Sequence, residues 1–226
     1  MNVHRPSNPI LWVVFVVLLI GSAPQASEAV PITFQGSGLV DPVSPGLTGT
    51  FSRGNTLSFS YTFESTTPPR AGSSAGFARF DALLSLSFSI GGYSAFSTGG
   101  IIGVFTSGFE GLPYDAYAVQ SSRLTGAPVG SKALSNFDFL LVGPGTLFTT
   151  ALNLPTDLSL SSFESKLFSI LFVAGDGCSL YDCSFYWGVG GHLTDLRRVP
   201  TPGTLLLLGS SFAVLSALYW SCQRQR

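Results

Sequence analysis

Residues 57–64 read Leu57-Ser58-Phe59-Ser60-Tyr61-Thr62-Phe63-Glu64, an unbroken alternation of apolar and polar side chains. Successive side chains of an extended chain point to opposite faces, so Leu57, Phe59, Tyr61 and Phe63 share one face and the hydroxyls the other. The same alternation returns at residues 84–90, Leu84-Ser85-Leu86-Ser87-Phe88-Ser89-Ile90. Further β-rich runs lie at 32–34, 101–105, 116–120, 137–142, 158–160, 167–173 and 185–189, bounded by Gly, Pro, Asn or Ser. No stretch carries a capped 3.6-residue pattern of helical length, and strands do not alternate with helices. The expectation is an all-β domain, an antiparallel β-sandwich with the jelly roll as one form of it, whose outer faces are covered by Ser and Thr rather than by charge.

Composition narrows the function classes. The 226 residues carry 11 Lys+Arg against 12 Asp+Glu, and only 10% are charged while 45% are hydrophobic. A near-neutral chain with 19 Phe can bury a core and does not fit charge-driven disorder. It has no basic stripe, which argues against a nucleic-acid partner.

The two ends differ from the middle. Residues 10–20 read I-L-W-V-V-F-V-V-L-L-I after a segment charged at Arg5, the pattern of a signal peptide. The best small-x-small site is Ser27-Glu28-Ala29, with cleavage expected after Ala29. Eleven residues of helix reach about 17 Å, well short of the roughly 30 Å hydrocarbon core. Residues 203–220, by contrast, contain no charge and as a helix would reach about 27 Å, enough to span. Tyr219 and Trp220 close that segment, and Arg224 and Arg226 come after it, which places the C-terminus inside. The expected organisation is a signal peptide at 1–29, a β-domain at 30–198 and a tail at 199–226, the last divided into a motif (199–202), a transmembrane helix (203–220) and a basic end (221–226).

The motif is Val199-Pro200-Thr201-Pro202, whose two prolines can neither continue a helix nor donate to a sheet. A proline motif, a hydrophobic span and a terminal arginine cluster, in that order, resemble the PEP-CTERM sorting signal of Gram-negative bacteria. Pro200 and Pro202 match the family's two prolines, and Thr201 stands where the family usually has Glu. The resemblance implies export through signal peptidase and Sec-type machinery, transient residence in the inner membrane, and processing near the motif by an exosortase-type enzyme. It further implies delivery to the cell surface or the extracellular matrix of a biofilm, with exopolysaccharide as a candidate partner. The chain would then be a substrate and not itself an enzyme. The segments I-T-F-Q-G-S-G-L-V at 32–40 and S-Y-T-F-E-S-T-T-P at 60–68 also look like other domains that carry this tail.

Few residues offer chemistry. Cys178 and Cys183 frame S-L-Y-D and are expected to form a disulfide in an oxidising compartment, while Cys222 lies beyond the span. With His192 and Asp182 the same cysteines match no familiar zinc spacing. Gly72-Ser73-Ser74-Ala75-Gly76 fits G-x-S-x-G, but Thr66-Thr67-Pro68-Pro69 interrupts the strand that a nucleophile elbow requires, and a flexible loop is expected. The carboxylates are scattered, Asp176 and Asp182 making no EF-hand loop. No catalytic residue, metal or cofactor is therefore assigned. The remaining candidates are the aromatics Tyr181, Phe185, Tyr186 and Trp187: core packing is their expected use, with Tyr186 or Trp187 as the alternative sugar contact, since flat rings with a polar edge stack on pyranose faces.

Overall fold

The computed structural model describes residues 30–108, 111, 113–174 and 186–200. The alternating stretch forms strand β2 (Thr56–Glu64), with Leu57, Phe59, Tyr61 and Phe63 buried. Around it lie β1 (Pro31–Val43), β3 (Phe77–Ile90), β4 (Tyr93–Ser97), β5 (Gly100–Phe105), β6 (Tyr114–Ser121), β7 (Leu124–Gly126), β8 (Lys132–Pro144), β9 (Ser165–Ala174) and β10 (Tyr186–Val199). The all-β expectation holds.

The expected sandwich does not form. Each main strand pairs antiparallel with its neighbour in sequence, and β10 returns to pair with β1, Thr33 opposite Val199 and Gln35 opposite Arg197. The sheet thereby closes on itself as an eight-stranded, up-and-down barrel. Period two reports that one face is buried, and that is equally true of two packed sheets and of one closed sheet. What decides between them is the pairing of the first strand with the last, which joins residues as far apart in the chain as Thr33 and Val199.

β4 and β5 run end to end along the same edge of β3: Leu86–Ile90 face β4, while Phe77–Phe80 face β5. The register shift between Phe80 and Leu83 brings both Ala82 and Leu83 inward, as a bulge does. On the far side β5 continues to β6 and β4 to β7. The bend between β4 and β5 is held by buried hydroxyls. Ser97 Oγ accepts from the Gly99 amide at 3.2 Å, and Ser121 Oγ lies 2.7 Å from both Ser97 Oγ and the Gly99 carbonyl oxygen.

Side chains fill the barrel axis, as eight strands allow. Phe34, Tyr61, Phe63, Tyr117, Phe137, Phe139 and Phe172 are among the largest fully buried groups. The Tyr61 and Tyr117 hydroxyls meet at 3.3 Å, and burial raises the pKa of both phenols. Glycines on the inner faces of β1 and β10 make room for crossing rings: a Cβ on Gly36 would lie 2.6 Å from Phe59 Cε1, and one on Gly191 2.6 Å from Phe168 Cε1.

Loops plug both ends. Between β1 and β2 a 3-10 turn at Pro45–Leu47 sends Leu47 and Phe51 into one end. Ala151, Leu154, Leu158 and Phe163, from the segment joining β8 and β9, fill the other. Fully buried Asp115 pins that second plug, accepting from the Ser107 amide at 2.6 Å and the Phe148 amide at 2.7 Å. The expected strand at 158–160 is thus absent: the segment leads into a 3-10 turn at Leu160–Ser162, with Leu158 packed as part of the plug. Several strands are longer than the sequence runs, β8 among them, which starts at Lys132. β1 extends to Val43, β3 starts at Phe77, and β10 continues from Tyr186 through its glycines to Val199.

Among the described residues no helix is long and apolar enough to cross a membrane. The expected signal peptide, with Ser27 and Ala29, and the expected span at 203–220 with Arg224 and Arg226 lie outside the described residues, as do Thr201 and Pro202.

Candidate functional site

Cross-strand register places the outward residues of β1–β4, β7 and β10 in transverse rows. One row crosses six strands: Arg197, Gln35, Ser60, Ser87, Phe96 and Thr125. Beside it Asp195, Ser37, Ser58, Ser89 and Ser94 cross five. Neighbouring strands are about 4.8 Å apart, so the longer row extends for about 24 Å. Both rows lie on the outer face opposite the aromatic core, and they arise from the Ser/Thr phase of the alternating stretches.

A barrel's outer surface is convex unless its side chains differ in length. Here the serines are short, with Arg197, Gln35 and Asp195 on one side of them and Phe96 on the other. The result is an open groove of about 960 Å³ along the rows. Phe96 is 53% exposed, an unusual setting for a ring of its size in this barrel. Its outward direction has a local cause. Ser97 must face inward to hold the β4–β5 bend, and period two then turns Phe96 out.

The groove is chemically balanced. Asp195 and Arg197 contribute one charge of each sign, and no ion pair among the described residues involves either. Ser37 Oγ meets Thr194 Oγ1 at 3.0 Å, and Ser60 Oγ donates to the Phe34 carbonyl at 3.2 Å. Ser58, Ser87, Ser89 and Ser94 are exposed, and among the described residues their hydroxyls have no protein partner.

Of the residues singled out in the sequence, those whose side chains are described do not line this groove. Trp187 is half-buried and packs on the core at the plugged end. The Lys132 ammonium stands 4.7 Å from its ring centroid, and a Cβ on Gly46 would lie 2.7 Å from its indole nitrogen. The strap beneath it is fixed by Ser44, whose hydroxyl accepts from the Gly188 amide at 2.8 Å. Tyr186 pairs with Val173 through its backbone. Cys178 and Cys183, with the bridge expected between them, lie outside the described residues. Val199 ends β10 opposite Thr33, and exposed Pro200 comes directly after it.

Ser74 belongs to a tight turn entering β3, with Ser74 and Phe77 exchanging backbone hydrogen bonds at 2.7 and 3.2 Å. A strand and not a helix leaves this turn, so it is not a nucleophile elbow. His192 stands exposed on β10, and Ser74 makes no hydrogen bond to it. A second cavity, of about 410 Å³, contains Arg70, Asp81 and Arg123. Arg70 grips Asp81 through two of its guanidinium nitrogens, Nε to Oδ2 at 2.7 Å and Nη2 to Oδ1, and this pairing holds the Asp81 carboxyl below its ordinary range. Among the described residues no group of three or more His, Cys, Asp or Glu side chains could hold a metal ion.

No family model matches this chain, and no curated protein or solved structure was found to be similar to it.

Proposed function

We propose that this protein is an exported, non-enzymatic surface or extracellular-matrix component, processed by an exosortase-type enzyme at the motif that begins with Val199. The observation that supports this reading is where the barrel stops. Its first strand opens at Pro31, two residues after the expected signal-peptidase site, and its last closes at Val199, the first residue of the motif. Thr33 and Val199 are partners in one ladder, so the first and last described strands begin and finish at the same end of a closed body. Pro200, exposed directly after Val199, can neither continue a helix nor donate to a sheet, which suits the start of a segment that a processing enzyme must reach. A second reading, a carbohydrate-binding module, is favoured by the groove that contains Phe96.

Intact mass measurement of the protein from cell and medium fractions of its host tests the sorting proposal. The expected product lacks residues up to about Ala29 and the span at 203–220, and is found in the medium or on a surface glycan. A membrane-bound species that retains residues 203–226 overturns it in favour of a simple C-terminal anchor.

A further inference from the structure

We propose that the groove across β10, β1, β2, β3 and β4 binds a neutral, extended polysaccharide chain, with Phe96 as its stacking platform. Three observations carry this. First, unpartnered exposed hydroxyls repeat at the interstrand spacing of about 4.8 Å, close to the width of one pyranose ring, so a polymer of hydroxylated rings lying across the strands meets a matching lattice of donors and acceptors. Second, Phe96 stands next to last in the longer row, between Ser87 and Thr125, offering an apolar face to the C–H side of a ring while the serines take its hydroxyls.

Third, the charges select the class of polymer. Asp195 and Arg197 cancel at the other end of the groove, and everything between them and Phe96 is uncharged. A uronate-rich polymer would set its carboxylates against Asp195 with only one cation in reach, whereas a neutral glycan can accept from Arg197 and donate to Asp195. This site replaces Trp187, whose ring is occupied by Lys132 and the Gly46 strap. The inference deepens the surface-protein reading and rests on it for where the polymer is encountered.

The test is isothermal titration calorimetry of the full chain in mild detergent against neutral hexasaccharides (β-1,4-glucan, β-1,3-glucan, β-1,4-mannan and α-1,4-glucan) and an oligogalacturonate. At least one neutral hexasaccharide is expected to bind. Phe96→Ala is expected to weaken it by about three- to tenfold, the value of one aromatic face. Leu167→Ala, exposed on β9 outside the rows, is the control and is expected to bind as the parent does. Phe96 is exposed, so circular dichroism and Tm should be unchanged in that variant. Three results overturn the proposal: no neutral hexasaccharide binds, the oligogalacturonate binds as well or better, or Phe96→Ala binds like the parent. None of these bears on tail processing, which is read from the mass of the native product, so the two proposals fail separately.

Discussion

Asp138 projects from the outer face of β8, half-buried, between Gln120 of β6 and Ser169 of β9. Neither neighbour in the ladder carries a positive charge, and burial pushes the carboxyl up to about 6 against a small opposing effect of the Asn136 amide, 2.8 Å from Oδ1. Asn136 Oδ1 is itself buried without a hydrogen-bond partner, so the surroundings of Asp138 are poorly solvated. The folded state therefore holds its proton more tightly than the unfolded chain, whose Asp titrates near about 3.9. Stability from this group is present below about pH 4 and is lost as pH rises through about 6. Asp138→Asn is expected to raise Tm at pH 7 by about 2–4 °C, corresponding to about 1 kcal/mol after allowing for solvent screening. The gain should vanish at pH 4, and equal Tm differences at the two pH values would count against the assignment. The sequence marks Asp138 only as one acid in a strand, because desolvation depends on which strands flank it.

Element by element, the sequence is most legible where a strand obeys a single alternation. β2 and residues 86–90 of β3 are readable because one face is apolar and the other hydroxylated, whereas the bulge at Ala82 and Leu83 turns Leu84, expected on the inner face, outward. β4 breaks that rule: in Tyr93-Ser94-Ala95-Phe96-Ser97 the serine at 97 goes inward to the bend and the phenylalanine outward, so the groove's aromatic carries no signal in its own strand. In β10 the glycines read as a terminator, but Gly191 serves as the gap for the Phe168 ring of the adjacent strand and the strand runs on, which is why the sequence run stops short of its true end. Gly36 on β1 belongs to the same system, being paired with Phe59, whose buried ring crosses it. A methyl group there overpacks a closed barrel that cannot spread, at a cost of about 1–3 kcal/mol. Gly36→Ala is accordingly expected to lower the urea midpoint at unchanged m, while Ser37→Ala, facing out, stays within about 0.5 kcal/mol of the parent. Equal midpoints for the two variants would mean that the inner face at residue 36 has slack.

For the whole molecule the decisive contact is the β1–β10 ladder, which alternation cannot foresee because it is a property of one strand and closure is a property of a pair. Closure puts the two ends of the domain side by side and makes the barrel independent of the residues after Val199, yet dependent on those just before it. Residues 192–199 supply Leu193 and Leu196 to the core and most of the β10 partners of β1. Removing them opens the sheet and leaves an unpaired strand edge on each side of the gap. A chain of residues 30–202 is expected to unfold in one cooperative transition with the Tm of the longer protein. A chain ending at Gly191 should lack that transition and expose the core, since the lost burial is comparable with the roughly 5–15 kcal/mol by which a domain is stable. Scanning calorimetry of the two truncations distinguishes them. If the shorter chain melts cooperatively at the same temperature, the barrel is not held shut by β10, and the tether after Val199 would no longer mark the boundary at which processing leaves the fold intact.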